Sequence, residues 1–134
     1  MRLVVETADY DAAVRFYRDV LGLEQALAVA GPDGAKVTIL AAGRATLELA
    51  NPAQRRYIDQ VEVGRQVAPK FRVAFEVGDV AAATGRLTDA GADLIAPPTA
   101  TPWRSLNSRL AAPGGVQITL FQELAPGAEE IEGG

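Results

Sequence analysis

Hydrophobic and polar positions in the first half of the chain predict one helix among four strands. Residues 3–7 begin with an apolar run typical of a short strand. Asp9 then stands at a helix N-cap, because its carboxylate can accept the free N–H groups of the first turn. The predicted helix ends at Gly22 and has a one-sided apolar stripe of Ala13, Phe16, Tyr17, Val20 and Leu21. Turn residues separate three further predicted strands, at 24–29, 36–40 and 45–50.

The second half repeats this order of elements. A strand is predicted at 71–77, and Asp79 is the N-cap of a helix that Gly91 ends. The apolar stripe of this helix consists of Val80, Ala83, Leu87 and Ala90. Three strands follow, at 93–96, 105–111 and 116–121. Because the pair Glu6 and Asp9 recurs 70 positions later, the halves are predicted to be two similar modules, not units of a solenoid.

The chain is therefore predicted to form one α+β domain, built from two β-α-β-β-β modules. At 134 residues it is long enough for one domain with a real core. Its predicted parts are module one at about 1–51, a linker at 52–70, module two at about 71–124 and an acidic tail at 125–134. Within the linker we expect one helical turn around 53–60, and we expect the polar tail to be frayed.

Composition excludes several classes of chemistry. The chain has no cysteine and no histidine, which rules out disulfides, zinc–thiolate sites, histidine-based catalytic triads and histidine metal sites. A net charge of −4 argues against nucleic-acid binding, which needs a basic surface. No apolar run approaches the roughly 20 residues that cross a bilayer, and the N-terminal segment does not resemble a secretory signal. We therefore expect a cytoplasmic protein that binds neither nucleic acid nor membrane.

Strand alternation places charged residues from several strands on one face of the predicted sheet. The opposite face is apolar and suits the stripes of the two helices. The polar face collects Arg2, Glu6, Glu48, Arg72, Glu76, Gln117 and Thr119. Two interpretations are open for it. It is either a solvent-exposed face, where ion pairs contribute little to stability, or the inner wall of a cavity that orients a polar ligand.

Two segments of the chain resemble a known protein family. Residues 9–23, with the sequence DYDAAVRFYRDVLGL, resemble a signature of the vicinal oxygen chelate superfamily, and residues 112–120, APGGVQITL, resemble its closing turn and strand. That superfamily includes glyoxalase I, extradiol dioxygenases, fosfomycin resistance enzymes and bleomycin resistance proteins. The resemblance covers nearly the whole chain. It implies paired β-α-β-β-β modules whose curved mixed sheets enclose a pocket, commonly in a homodimer, and so favours the cavity interpretation.

The resemblance also implies where metal ligands would lie. Metal-using members take their ligands from the first and fourth strands of each module, and the matching positions here are Arg2, Glu48, Arg72 and Thr119. Of these four, only Glu48 has a side chain of the kind that the family uses to bind metal. A guanidinium stays charged and has no lone pair to donate to a metal ion. We therefore expect no metal and no other cofactor. We also expect Arg2, Glu48 and Arg72 to form one cluster, with Glu48 between the arginines.

Further candidate contacts lie around the only tryptophan. Trp103 follows a predicted proline-rich loop and either fills the core or forms a wall of the pocket. Hydrogen bonds beside it would come from Arg104, Ser105 and Asn107. In the linker, three residues cover the mouth of the pocket, contact a partner subunit or belong to the solvated surface: Arg55, Arg56 and Tyr57.

Three functions are compatible with these residues. The first is metal-independent binding of a small molecule, as the resemblance to bleomycin resistance proteins implies, by Arg2, Glu6, Glu48, Arg72, Glu76, Trp103, Ser105, Asn107 and Thr119. The second is an enzyme of the same fold, of lyase, isomerase or dioxygenase type, with Glu48 as the catalytic group, either metal-free or with a poor metal site completed by Glu48 and water. The third is an interaction protein with a vestigial pocket. A nearby arginine lowers the pKa of a glutamate and burial raises it, and the sequence leaves that balance open.

Overall fold

The computed structural model describes residues 1–113 and 115–124; the predicted tail at 125–134 lies outside the described residues. The strands are β1 (Arg2–Glu6), β2 (Gln25–Ala30), β3 (Lys36–Ala42), β4 (Ala45–Ala50), β5 (Phe71–Glu76), β6 (Asp93–Ala100), β7 (Ser105–Ala112) and β8 (Val116–Glu123). The longer helices are α1 (Tyr10–Val14, continued as a π-helix over Arg15–Val20), α2 (Pro52–Glu62) and α3 (Val80–Asp89). Within the described ranges, no helix has the length and apolar character needed to span a membrane.

The strands form one curved, open, mixed sheet in the order β2-β3-β4-β1-β5-β8-β7-β6. In each half the first strand pairs in parallel with the last, β1 with β4 and β5 with β8. All other neighbours are antiparallel. β1 and β5 pair with each other, with Leu3 opposite Val73, so the two halves join within one chain. The predicted α+β fold of paired β-α-β-β-β units is confirmed.

α1 and α3 cover the apolar face of the sheet. Each begins at its predicted N-cap: the carboxylate of Asp9 accepts the N–H of Ala12 at 3.2 Å, and that of Asp79 accepts the N–H of Ala82 at 3.0 Å. The core under α1 contains Val14, Leu40 and Leu49. The core under α3 contains Val80, Ala83, Leu110, Ile118 and Leu120. The apolar face is thus occupied by helices, as predicted, and the polar face lies on the other side of the sheet.

The second half of α1 departs from the predicted stripe. The N–H of Leu21 bonds to the carbonyl of Phe16, five residues earlier, at 2.9 Å, so the helix is π-helical there. Its wider turn moves residues out of phase with a 3.6-residue stripe. Tyr17 still packs against the core, but Phe16, Val20 and Leu21 are 58%, 78% and 61% exposed. The predicted burial of these three is wrong, and together they form an exposed apolar surface.

β6 is longer than predicted. The segment with Pro97 and Pro98, expected to be a loop, is the second part of a strand that continues to Ala100. β6 is an edge strand, and proline is tolerated at an edge because its missing N–H need not join the ladder. Its pairing with β7 shifts register on both sides of Ala96. Trp103 therefore lies in a tight turn between two strands.

The linker contains a full helix where one turn was predicted around 53–60. The side chain of Asn51 accepts the N–H of Gln54 at 2.9 Å, and Pro52 occupies the first turn, a combination that favours a helix start. α2 then crosses the polar face of the sheet, where it hydrogen-bonds Glu6 of β1 and Arg109 of β7. A space is enclosed between α2 and this face.

Candidate functional site

A cavity of about 530 Å³ lies between α2 and the polar face of the sheet. Its floor is formed by β1, β4, β5 and β8. Eight of the nine predicted ligand contacts line it: Arg2, Glu6, Glu48, Arg72, Trp103, Ser105, Asn107 and Thr119. Glu76 does not; it is exposed at the end of β5. Apolar side chains of β2, β3 and α2 form much of the wall, including Leu27, Val29, Val37, Ile39 and Ile58. The cavity therefore combines a charged floor with an apolar wall.

Strand register brings Glu48 and Arg72 to the centre of the floor. Val4 of β1 lies opposite Glu48 of β4 on one side and opposite Arg72 of β5 on the other. Two strand spacings separate the charged residues by about 10 Å at their Cα atoms. Arg2 of β1 lies nearby, with its Nη1 3.5 Å from Oε1 of Glu48. The three predicted residues thus occupy one floor, although Arg72 does not form an ion pair with Glu48.

Arg2 is held from several sides. Its Nη2 lies 3.7 Å from Oε1 of Glu123, and its guanidinium lies 4.3 Å from the ring centroid of Phe121. A cation over an aromatic face gains a favourable interaction with the ring quadrupole. Arg2 therefore has three stabilising neighbours: Glu48, Glu123 and Phe121.

Burial decides the ionisation of Glu48. Its side chain is 15% exposed. Burial raises the pKa of the Glu48 carboxyl, while the charges of Arg2 and Arg72 act to lower it, and the net pKa lies above its ordinary value. In the structure, burial outweighs the two arginines, so Glu48 holds a proton more strongly than an ordinary glutamate.

Arg72 has a different environment. Its Nη1 donates to Oγ1 of Thr119 at 2.8 Å. Among the residues that the structure describes, no carboxylate forms an ion pair with Arg72. Burial lowers the pKa of the Arg72 guanidinium, but a guanidinium remains protonated in proteins because its ordinary pKa is so high. Arg72 is a fixed cation that faces the cavity.

A buried ion cluster holds α2 over the sheet. Arg109 of β7 is fully buried, and it donates from Nη1 to Oδ1 of Asp59 at 2.9 Å and from Nη2 to Oε1 of Glu62 at 2.6 Å. Both carboxylates belong to α2 and are also buried. Nη1 of Arg109 also donates to Oε1 of Gln117 at 2.8 Å. We call Arg109, Asp59 and Glu62 the buried triad.

The triad also fixes the chain that follows α2. The second oxygen of Asp59, Oδ2, accepts the backbone N–H groups of Val67 and Ala68 at 2.8 and 2.7 Å. Arg55, one turn earlier on α2, donates to Oε2 of Glu6 at 3.0 Å. Charge-assisted hydrogen bonds of this kind are stronger than neutral ones. α2 is thus attached to both halves of the sheet.

Ser105 and Asn107 serve this attachment. Oγ of Ser105 donates to Oδ1 of Asn107 at 2.7 Å, and Nδ2 of Asn107 donates to Oε2 of Glu62 at 2.8 Å. Both residues line the cavity, but these polar atoms already have partners in the protein. Their main contribution is to orient Glu62.

Trp103 and Tyr57 form an aromatic pair at the cavity. Their ring centroids are 6.1 Å apart, with an interplanar angle of 60°, within the range of favourable aromatic contacts. Trp103 is 39% exposed and lines the cavity, so it is not a plug of the core. Tyr57 and Arg55 of α2 also line the cavity, whereas Arg56 is exposed. α2 is therefore a wall of the site.

Sequence reasoning missed the buried triad. Arg109 follows Asn107 by two positions in β7, so strand alternation alone places it on the polar face. On α2, Arg55, Asp59 and Glu62 follow at intervals of four and three residues, which is one face of a helix. The mixed charge of residues 52–70 is also typical of a linker, so composition alone does not reveal this helix face.

The residues of the floor do not fit a divalent metal ion. Glu48 is the one carboxylate among the four positions that the family resemblance indicates, and a guanidinium nitrogen of Arg2 lies 3.5 Å from it. Arg72 and Thr119 are hydrogen-bonded to each other. Over residues 1–113 and 115–124, no group of three or more acidic residues is arranged to hold a metal. Two fixed cations beside one carboxylate would repel a divalent cation.

We predict that Arg109→Met destabilises the protein by about 3–5 kcal/mol, because it leaves the buried carboxylates of Asp59 and Glu62 without their cation. The triple variant Arg109→Met/Asp59→Asn/Glu62→Gln should recover much of this loss, since no buried charge remains. Arg44→Met, at an exposed position, is the control and should change stability by less than about 0.5 kcal/mol. Chemical denaturation measures all three. An Arg109→Met variant within about 1 kcal/mol of wild type would contradict a buried triad.

Comparisons with known proteins agree with this architecture. No significant match was found among curated protein sequences. A hypothetical protein from Bacillus halodurans has a similar structure, with a TM-score of 0.70, 16% identity and coverage of 94% of each chain. Methylmalonyl-CoA epimerase from Mycobacterium tuberculosis matches with a TM-score of 0.65 and 25% identity, over 93% of this chain and 87% of that one.

A mutant of 4-hydroxymandelate synthase from Streptomyces coelicolor matches with a TM-score of 0.64 and 27% identity, over 93% of this chain but 38% of that protein. The family model described as Glyoxalase/Bleomycin resistance protein/Dioxygenase superfamily matches residues 2–120. With the paired modules and the enclosed cavity, this match shows that the chain belongs to the Glyoxalase/Bleomycin resistance protein/Dioxygenase superfamily.

Proposed function

We propose that this protein binds a small organic molecule without a metal ion. The observation that carries the proposal is the cavity of about 530 Å³ with a charged floor and an apolar wall. Small-molecule pockets have volumes of about 300–1,000 Å³, mostly apolar linings and a few polar groups that orient the ligand. A solvent-exposed sheet face needs no helix over it. Here the buried triad attaches α2 across the polar face of the sheet.

The absence of a metal from the binding reaction is part of the proposal. It rests on the chemistry of the floor, where Arg2 and Arg72 offer cations and Glu48 is a carboxyl that burial keeps protonated to a higher pH than usual. A proton on Glu48 and a divalent ion compete for the same oxygens. The guanidinium groups therefore take the place of a metal as the positive groups of the floor.

We predict that the purified protein contains no stoichiometric zinc, nickel, manganese or iron and that a chelator leaves its melting temperature unchanged. We also expect native mass spectrometry to detect a bound small molecule, or a metabolite mixture to raise the melting temperature and change Trp103 fluorescence. Val4→Phe adds volume to the floor of the cavity. It should weaken this binding if the molecule lies in the cavity. One metal ion per chain would refute metal independence, and a cavity that accepts no small molecule would refute the binding function.

A second candidate function is proton transfer to and from a carbon acid, with Glu48 as the base. Its specific support is the raised pKa of a carboxyl that faces the cavity, close to two guanidinium groups that can stabilise an oxyanion. The similarity to methylmalonyl-CoA epimerase, at 25% identity, supports an activity of this type. In such a step Glu48 takes the proton, the C–H bond breaks, and its electron pair moves to the adjacent carbonyl oxygen.

For this candidate we predict that methylmalonyl-CoA in D₂O exchanges the hydrogen on the carbon between its two carbonyl groups. The rate should rise with pH through the raised pKa of Glu48, because only the ionised carboxylate accepts a proton. Glu48→Gln should slow the exchange by about 100-fold or more, and Glu24→Gln, at an exposed position, should leave it unchanged. NMR follows the exchange. If wild type and Glu48→Gln exchange equally at every pH, Glu48 is not the base.

We also propose that the protein forms a homodimer through the exposed apolar surface of Phe16, Val20 and Leu21. These side chains are at least 58% exposed, and contiguous apolar surface of this kind marks interaction sites. A twofold-symmetric partner would bury the same residues on both chains. The superfamily resemblance supports the same assembly.

Light scattering at micromolar concentrations should therefore give twice the 14.1 kDa mass of the chain. Phe16→Ser/Leu21→Ser should shift the equilibrium towards the monomer, because it removes apolar area from the interface. Leu94→Ser is the matched control, since Leu94 is also exposed but lies in β6. A monomer at all concentrations would exclude the dimer, and equal effects of both variants would exclude this surface.

A further inference from the structure

The arginines in and beside the cavity differ in one respect that bears on its ligand, whereas Lys70, which also lines the cavity, is exposed to solvent. Arg109 forms ion pairs with Asp59 and Glu62 at 2.9 and 2.6 Å. Arg55 pairs with Glu6 at 3.0 Å and lies 3.7 Å from Asp59. These ion pairs use the carboxylates of α2 and the end of β1.

Arg2 is also compensated, by Glu48 at 3.5 Å and Glu123 at 3.7 Å. Arg72 alone among these four has no ion pair within the described part of the chain, and its Nη1 donates to a neutral hydroxyl, that of Thr119. A guanidinium has five N–H donors, so Arg72 has donors left for a molecule in the cavity.

We propose that the ligand is a carboxylic acid with an apolar body, whose carboxylate binds Arg72. This inference rests on the proposed binding function and names the chemical class of its ligand. An arginine matches a carboxylate with two parallel N–H···O bonds, a geometry that a neutral oxygen cannot reproduce. A ligand anion would also compensate a charge that is costly to keep in a largely buried position.

A monoanion suits this position better than a dianion such as a phosphate monoester. Arg72 offers one positive charge that has no ion pair among the described residues. The carboxylates of Glu62, Glu48 and Asp59 lie close enough to act on that charge, and they would repel a second negative charge. A single carboxylate is therefore the best match.

The wall of the cavity defines the rest of the ligand. Val37 and Ile39 of β3 and Ile58 of α2 line it, and Leu27 and Val29 of β2 are 51% and 46% exposed beside them. Covering such side chains with an apolar ligand gains about 25 cal/mol per Å² of buried apolar area. Trp103 and Tyr57 add aromatic surface. Short acids such as acetate lack the apolar body and should bind weakly.

The test compares matched probes on the purified chain. The probes are 3-phenylpropanoic and octanoic acids, their primary amides, acetate and phenyl phosphate. Trp103 is the only tryptophan and lines the cavity, so its fluorescence reports binding, with ligand-observed NMR as a second measurement. We expect both larger acids to bind about 10-fold or more tightly than their amides, and acetate and phenyl phosphate to bind more weakly than the larger acids.

Three variants connect the preference to Arg72. Arg72→Met should weaken binding of the acids by about 10- to 100-fold and leave the amides nearly unchanged. Arg72→Lys keeps the charge without the two-pronged geometry and should recover part of the affinity. Arg44→Met removes an exposed arginine outside the cavity and is the control. The comparison of acids with amides on wild type holds even if Arg72→Met fails to fold.

Two results would overturn the inference in distinguishable ways. If acids and amides bind wild type equally, or if phenyl phosphate binds best, the carboxylate assignment is wrong while the binding function stands. If none of these probes binds and no retained or added molecule changes Trp103 fluorescence, the binding function fails together with the inference.

Discussion

The buried triad of Arg109, Asp59 and Glu62 is the interaction on which the site depends. Without it, α2 would keep its ion pair between Arg55 and Glu6 of β1 but would lose its attachment to β7 in the second half of the sheet. Apolar residues of similar volume could give equal or greater stability, but they would not specify one position of α2. Each carboxylate oxygen of the triad has a donor: Arg109 for one oxygen of each acid, Asn107 for the second of Glu62, and the 67–68 backbone for the second of Asp59. The cavity is the volume that this attachment leaves open.

Electrostatics divides the cavity into two parts. On the side of β7 the charges of Arg109, Asp59 and Glu62 are paired with one another, so that side is structural. At the centre of the floor, burial outweighs the attraction of Arg2 and Arg72 for an ionised Glu48, and Arg72 is left without a carboxylate partner in the described residues. Unpaired charge and shifted ionisation inside a cavity are features that cluster at functional sites. The centre of the floor is therefore where a ligand has most to contribute.

Local signals explain what the sequence could predict. The caps Asp9 and Asp79, the strand alternation and the repeat of 70 positions each lie within a few residues or recur in register, and they led to the right fold class. The π-helical turn after Val14 could not be predicted, because its stripe also satisfies an ordinary helix. Only one turn of α2 was predicted, because the polar stripe of the full helix finds its partner Arg109 some 50 residues away. Strand alternation is compatible with Arg109 on the polar face, but pairing it with α2 needs the tertiary structure.

Arginine at two positions where the family resemblance implies metal ligands bears on what this floor can do. A divalent ion polarises an oxygen strongly and tolerates several directions of approach. A guanidinium carries one charge in a fixed plane and selects by hydrogen-bond geometry. Guanidinium groups in place of a metal ion favour recognition of a carboxylate over strong activation of a substrate. Proton transfer at a carbon already acidified by neighbouring carbonyl groups needs less polarisation, and Glu48, with its raised pKa, suits that chemistry. Both functions thus use the same property of the floor, and the substrate's own acidity determines which of them the cavity can support.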